Sequence, residues 1–170
     1  MQIIPVIDLR KGIVVHAIKG NREKYQAIGS NLCSSASPLD VVNGFLSGYK
    51  YKSIYIADLD ALEQQGNHVE AIESICNKYP NTEIWLDTGT TLLIQYLQKT
   101  NFQNLRLILS SESLASASVF SSLINQYPLH NFILSLDYKF DKLLGPEEIL
   151  QSKNIWPKDI IILNLNNVGA

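Results

Sequence analysis

The stretch Ile3-Ile4-Pro5-Val6-Ile7-Asp8-Leu9-Arg10-Lys11-Gly12 decides the fold. Its apolar run suits a parallel strand covered on both faces, where both faces need apolar side chains. Pro5 stands against a central position, because it removes a ladder donor. The run delivers one carboxylate, Asp8, and Leu9-Arg10-Lys11-Gly12 then turns the chain. A carboxylate at the C-terminal end of a parallel strand is where α/β barrels keep their chemistry. On position alone, Asp8 is equally a turn cap.

The pattern repeats outward from there. Ile13 to Lys19 is a second short strand, and Gly12 makes a hairpin between the two. A polar loop runs from Gly20 to Ser37, long enough to be a functional lid, with Lys19, Arg22 and Lys24 putting positive charge on it. An ordinary solvated loop accounts for Arg22 and Lys24 at least as well. Ser37-Pro38 reads as a helix cap and first turn, followed by the apolar face Val41, Val42, Phe45 and Leu46. Ser53 to Ala57 is a strand tipped by Asp58-Leu59-Asp60. Asn67 with Glu70 reads as a capping box for a helix to about Lys78. Glu83 to Leu86 is a strand tipped by Asp87-Thr88-Gly89-Thr90-Thr91, with a helix after it. Leu105 to Leu109 is a strand tipped by Ser110-Ser111-Glu112-Ser113, with a helix from about Leu114 to Gln126. Phe132 to Leu136 is a strand tipped by Asp137, and Pro146 starts a helix to about Lys153. Ile160 to Leu163 is the last strand, ending in Asn164-Leu165-Asn166-Asn167.

Strand and helix alternate, which implies an α/β fold with a parallel sheet. The glycine fingerprint of a dinucleotide fold and the phosphate loop ending in Gly-Lys-Ser/Thr are both absent. A (β/α)8 barrel of the triosephosphate isomerase type fits, with about six of its eight strand–helix units present. The expectation is therefore one barrel domain over residues 1–170, incomplete at its C-terminus. The turns Gly89-Thr90 and Ser110-Ser111 open onto one face before helices, where backbone N–H groups and the helix dipole suit a phosphate. Lys19, Asp58 and Asn164 are further candidate substrate contacts on that face.

Composition narrows the function classes. The chain has 170 residues, 46% hydrophobic and 18% charged, with net charge −2 and pI about 5.9. It has enough apolar content for a core and no basic excess for nucleic acid or an anionic membrane. No apolar run approaches membrane-spanning length, and no signal peptide is recognisable. Cys33 and Cys76 are isolated, as reduced thiols of a cytoplasmic protein are. His16, His68 and His130 are scattered, so no metal site is expected.

These residues together resemble the HisA/HisF family, which includes the isomerase of histidine biosynthesis acting on a phosphoribosylformimino aminoimidazole carboxamide ribotide. The resemblance rests on Ile4-Pro5-Val6-Ile7-Asp8-Leu9, Gly12-Ile13-Val14-Val15 with Ile18-Lys19-Gly20, Ala57-Asp58-Leu59-Asp60, Ser110-Ser111 and Ser135-Leu136-Asp137. It implies an Amadori rearrangement of a phosphorylated aminoaldose to an aminoketose, with Asp8 as base and Asp137 as acid and no cofactor. The phosphorylated small molecule would be the only ligand, without nucleic acid or membrane. A homo-oligomer or a further C-terminal segment would complete the barrel.

The departures are specific. The family's turn after the third barrel strand is typically Gly-Gly-Gly, a hydrophobic residue and Arg, whereas here it is Asp87-Thr88-Gly89-Thr90-Thr91. The Gly-Trp motif after the fifth strand is reduced to Gly145, and Asn164-Leu165 stands where the isomerase has Thr-Asp or Thr-Glu. These changes leave two alternatives open. One is a relative acting in one-carbon coenzyme synthesis (tetrahydromethanopterin or methanofuran). The other is a non-catalytic barrel remnant that binds a partner.

Overall fold

The structure, a computed structural model, describes residues 2–99, 102–128 and 132–169, so His130 lies outside the described residues. β1 (Val6–Arg10) begins after Pro5. The proline therefore precedes the ladder, and its carbonyl accepts the Tyr55 N–H at 2.9 Å. Lys11 and Gly12 take φ of 50° and 81°, the mirror-type turn that matches strand twist. β2 (Ile13–His16) returns antiparallel, and β3 (Gln26–Ala27) pairs with it.

α1 (Pro38–Gly48) starts where the sequence places it, with the Ser37 hydroxyl accepting the Asp40 N–H at 3.3 Å. Then follow β4 (Ser53–Asp58), α2 (Leu59–Leu62), α3 (Val69–Lys78), β5 (Glu83–Asp87), α4 (Gly89–Lys99) and β6 (Leu105–Ser110). α5 (Ala117–Gln126), β7 (Ile133–Lys139), β8 (Lys142–Leu143) and β9 (Asp159–Asn164) complete the elements.

Three local expectations are corrected. The N-cap of α3 is His68, and the Asn67 side chain only reaches the Val69 N–H. α5 starts at Ala117, not near Leu114, because the Ser116 hydroxyl accepts the Val119 N–H at 3.2 Å. The helix expected from Pro146 is two 3-10 turns, Glu147–Gln151 and Lys153–Ile155. There the Trp156 ring N–H donates back to the Ile149 carbonyl at 2.9 Å, which keeps the segment tightly folded between Pro146 and Pro157. Among the described residues, α-helices thus follow the β1–β2 hairpin, β4, β5 and β6, but neither β7 nor β9.

The parallel strands lie side by side in chain order, β1-β4-β5-β6-β7-β9. A doubly wound sheet would reverse direction somewhere along that order. Here it never does, so the crossover helices all cover one face of the sheet, as in barrels. No strand pairs the far side of β9 among the described residues. β9 also has no fully buried residue, and its Ile160 and Ile162 are exposed. The two ends of the sheet still touch, because the Lys19 N–H donates to the Val168 carbonyl at 2.7 Å.

Strand parity divides the sheet into two faces. Ile7, Leu9, Ile54, Ile56, Ile84, Leu86, Leu107, Leu109, Leu134 and Leu136 pack in the large core with residues of α1, α3, α4 and α5. The opposite parity carries Tyr55, Ala57, Ile108 and Ile133, a smaller apolar cluster. It also carries Asp8, Asp87 and Asp137. Register sets Asp8 beside Ala57 and Ala57 beside Asp87, one row across three strands.

Candidate active site

A cleft of about 940 Å³ opens on this second face, and Asp8, Tyr55, Trp85, Asp87, Glu112 and Asp137 are among its walls. Asp8 is 9% exposed, and among the described residues its carboxylate has no hydrogen-bond partner. Burial pushes it up to about 6, against the opposing pull of Arg22 and His16. A carboxyl with that value is part-ionised near neutrality and suited to take a proton.

Asp137 is held differently. It accepts from the Ser135 hydroxyl at 2.6 Å, the Ser111 hydroxyl at 3.4 Å and the Glu112 N–H at 3.3 Å. Its own N–H donates to the Ser111 hydroxyl at 2.9 Å. Burial raises it above the ordinary carboxylate range despite these donors. Gly145, at φ 102°, lies so close that a Cβ there would stand 1.9 Å from the Ser111 carbonyl oxygen. The glycine thus lets the segment after β8 press against the turn that holds Asp137.

The third carboxylate, Asp87, accepts from the Tyr55 hydroxyl at 3.1 Å, the Ser110 hydroxyl at 3.1 Å and the Gly89 N–H at 3.4 Å. Burial and the charges of Asp137 and Glu112 outweigh these donors and push it up to about 7.

Four more charged residues tie loops across the mouth. Arg22 pairs with Glu112 at 2.6 Å and Glu63 at 3.8 Å, and Arg10 pairs with Glu63 at 3.2 Å. Arg10 also donates to the Arg22 carbonyl. The polar loop after β2 is thereby anchored to the turns after β4 and β6. Beyond β7, Phe140 and Asp141 take φ of 51° and 58°, forming the hairpin to β8, and Phe140 joins the cleft wall.

Of the residues singled out in the sequence, Asp8, Asp137 and Lys19 line this one cleft. Asp58 does not. It has the parity of Ile54 and Ile56, is fully buried, and accepts from the Ala61 N–H at 3.1 Å and the His68 N–H at 2.8 Å. Its other contact is the His68 ring, Nδ1 to Oδ1 at 2.8 Å, while His68 Nε2 accepts the Gly12 N–H at 2.9 Å. Asp58 therefore ties the β1–β2 turn to the end of β4.

Several donors of the paired turns are taken within the protein. Gly89 and Ser110 face Asp87, Ser111 faces Asp137, and the Thr90 hydroxyl donates to the Ser113 carbonyl at 2.9 Å. Asn164 is exposed and accepts the Asn166 N–H at 3.1 Å. Tyr55, Asp87, Glu112 and Arg22 were not read as site residues. Arg22 and Glu112 lie in 3-10 turns, where no strand alternation marks a face, and Tyr55 lies inside a mostly apolar strand. Among the described residues, no group of three or more His, Cys, Asp or Glu side chains is placed to hold a metal ion.

Parallel strands in chain order, with acidic side chains gathered at their C-terminal ends, define an α/β protein of the barrel class with its chemistry at the strand tips. The chain belongs to the histidine biosynthesis protein family, the HisA/HisF family of TIM barrels, whose sequence model matches residues 2–160. It is also 30% identical over 173 residues to a protein of Methanocaldococcus jannaschii described as uncharacterized, an alignment covering all of this chain and 71% of that protein. The family supports a related isomerase- or cyclase-type activity. No helix among the described residues is long and apolar enough to cross a membrane.

Proposed function

We propose that the chain is an intramolecular isomerase that converts a phosphorylated aminoaldose to the aminoketose by an Amadori-type rearrangement. The observation that carries this reading is the pair Asp8 and Asp137. They come from β1 and β7, face one cleft, and both lie above the usual carboxylate range. The acid, Asp137, gives its proton to the ring oxygen, and the C1–oxygen bond breaks to leave an iminium. Asp8 takes the proton from C2, and the electron pair of that C–H bond becomes the double bond of an enaminol. Transfer of the enaminol's oxygen proton to C1 completes the ketose. No atom is gained or lost, so one carboxyl group as acid and one as base suffice.

Lys19 and Lys139 line the cleft without a carboxylate partner among the described residues and would hold the phosphate. Completion of the sheet between β9 and β1, by further chain or by a second copy, belongs to the same reading. It is supported by exposed Ile3, Val6, Ile160 and Ile162. Asp87 favours a second reading, the same chemistry on a substrate outside histidine synthesis, as in one-carbon coenzyme synthesis.

The test is turnover of an N-substituted ribosylamine 5-phosphate by the native chain and by Asp8→Asn and Asp137→Asn. Each substitution keeps shape but removes proton transfer, so the expected loss is on the order of 10²- to 10⁴-fold. Turnover that survives in both variants ends the isomerase reading.

A further inference from the structure

Six donors around the tips of β4 to β7 are already committed inside the protein. The Tyr55 and Ser110 hydroxyls and the Gly89 N–H point at Asp87. The Ser111 and Ser135 hydroxyls and the Glu112 N–H point at Asp137. The Arg22 guanidinium is committed to Glu112 and Glu63. Asp8 is the exception on the opposite side of the ledger: an acceptor nine-tenths buried, lining the cleft, with no donor of its own among the described residues. Its carboxylate lines the cleft, so a ligand that donates there finds an acceptor that no protein donor occupies.

The cations without carboxylate partners sit elsewhere. Lys19 lies where its N–H meets Val168, and Lys139 follows Tyr138, which pairs with Asn164. Both therefore flank the end of β9, whereas Asp8, Ala57 and Asp87 form the row across β1, β4 and β5.

We propose that the floor around Asp8 and Asp87 is a subsite for an unphosphorylated, hydrogen-bond-donating end of the substrate, an amino group or sugar hydroxyls, and that Asp87 sets this selectivity. Asp87 fills the start of α4 with the protein's own carboxylate and uses the donors that an anion would need. A phosphate brought there meets up to three carboxyl groups, with the Tyr55 and Ser110 hydroxyls and the Gly89 N–H already taken by Asp87. The inference rests on the isomerase reading only in taking this cleft as the substrate site.

Calorimetric titration of the native chain with ribose 5-phosphate and ribulose 1,5-bisphosphate tests it, since the second sugar carries phosphate at both ends. The native chain should prefer the monophosphate on the order of 10- to 100-fold. Asp87→Gly and Asp87→Asn should shrink that preference at least about tenfold. The Asn variant keeps the side-chain volume and decides the matter if the Gly variant unfolds. Glucosamine 6-phosphate binding more tightly than glucose 6-phosphate assigns the donor as an amine, and equal binding assigns it as hydroxyls. The proposal is overturned if the bisphosphate binds the native chain as tightly as the monophosphate. It is also overturned if both variants keep the native preference, or if ribose 5-phosphate fails to bind. No turnover enters these measurements, so failure of the isomerase reading leaves them interpretable on their own.

Discussion

Replacing Asp8 by Asn should make the protein more stable at neutral and alkaline pH, and the structure gives the size of the gain. Burial raises the Asp8 carboxyl from 3.8 to about 6. The folded protein therefore binds this proton more tightly than the unfolded chain does. Stability from this group is greatest below 3.8 and is lost as pH rises to about 6. At about 1.4 kcal/mol per pH unit, the ionised carboxylate costs the fold about 3 kcal/mol at pH 7 and above. Asn has the same shape and no charge to desolvate. Asp8 is the clean position for this measurement, because its carboxylate accepts no protein hydrogen bond that Asn would weaken. Urea unfolding of the native chain and the Asp8→Asn variant at pH 4 and pH 8 gives the comparison. The variant should be more stable by roughly 2 to 3 kcal/mol at pH 8 and about equal at pH 4. A turn-capping Asp predicts the opposite sign. A variant no more stable than the native chain at pH 8, or a gain that does not change with pH, refutes the reasoning.

Two further perturbations probe the walls of the cleft. Arg22→Ala removes the pairs to Glu112 and Glu63 and the positive charge that holds Asp8 down. Amides 21–25 should exchange faster by hydrogen exchange, and the ascending limb of the pH–rate profile should move to higher pH. An unmoved limb would separate Arg22 from Asp8. Gly145→Ala sets a Cβ against the Ser111 carbonyl at 1.9 Å in a left-handed conformation. It should cost on the order of 1–3 kcal/mol in urea unfolding, and activity should fall further than stability explains, because Ser111 positions Asp137. Unchanged values of both would show that the segment yields freely.

The order of elements was legible because each strand is a short apolar run closed by a polar turn, and each helix carries a 3.6-residue apolar face. Ser37-Pro38 and the Lys11-Gly12 hairpin are local chemistry, and they stand where the residues put them. The segment after β7 was misread because Pro146 is a good helix start only if a helix follows. There the Trp156 side chain and two flanking prolines select 3-10 turns, a tertiary effect invisible to periodicity. The β7–β8 hairpin was missed for a related reason. Its turn uses Phe140 and Asp141 at positive φ, without the Gly or Asn that normally announces one.

The candidate site was legible to the extent that strand parity was used. Counting from buried Ile54 and Ile56, Asp58 falls on the helix-facing side of β4, and the structure finds it there, bound to His68 and the start of α2. Counting from Ile84 and Leu86, Asp87 falls on the opposite side with Tyr55. The same rule places Asp8 opposite Ile7 and Leu9, and Asp137 opposite Leu134 and Leu136. Four carboxylates end or lie near the ends of parallel strands, and position along the strand treats them alike. A one-residue difference in parity separates the three that meet in the cleft from the one that braces the scaffold. What parity cannot supply is the commitment of each donor, because that depends on which neighbouring strand tip it meets. Ser110 and Ser111 look identical as a phosphate turn in the sequence. In the fold one serves Asp87 and the other Asp137, and the anion they attend is part of the protein.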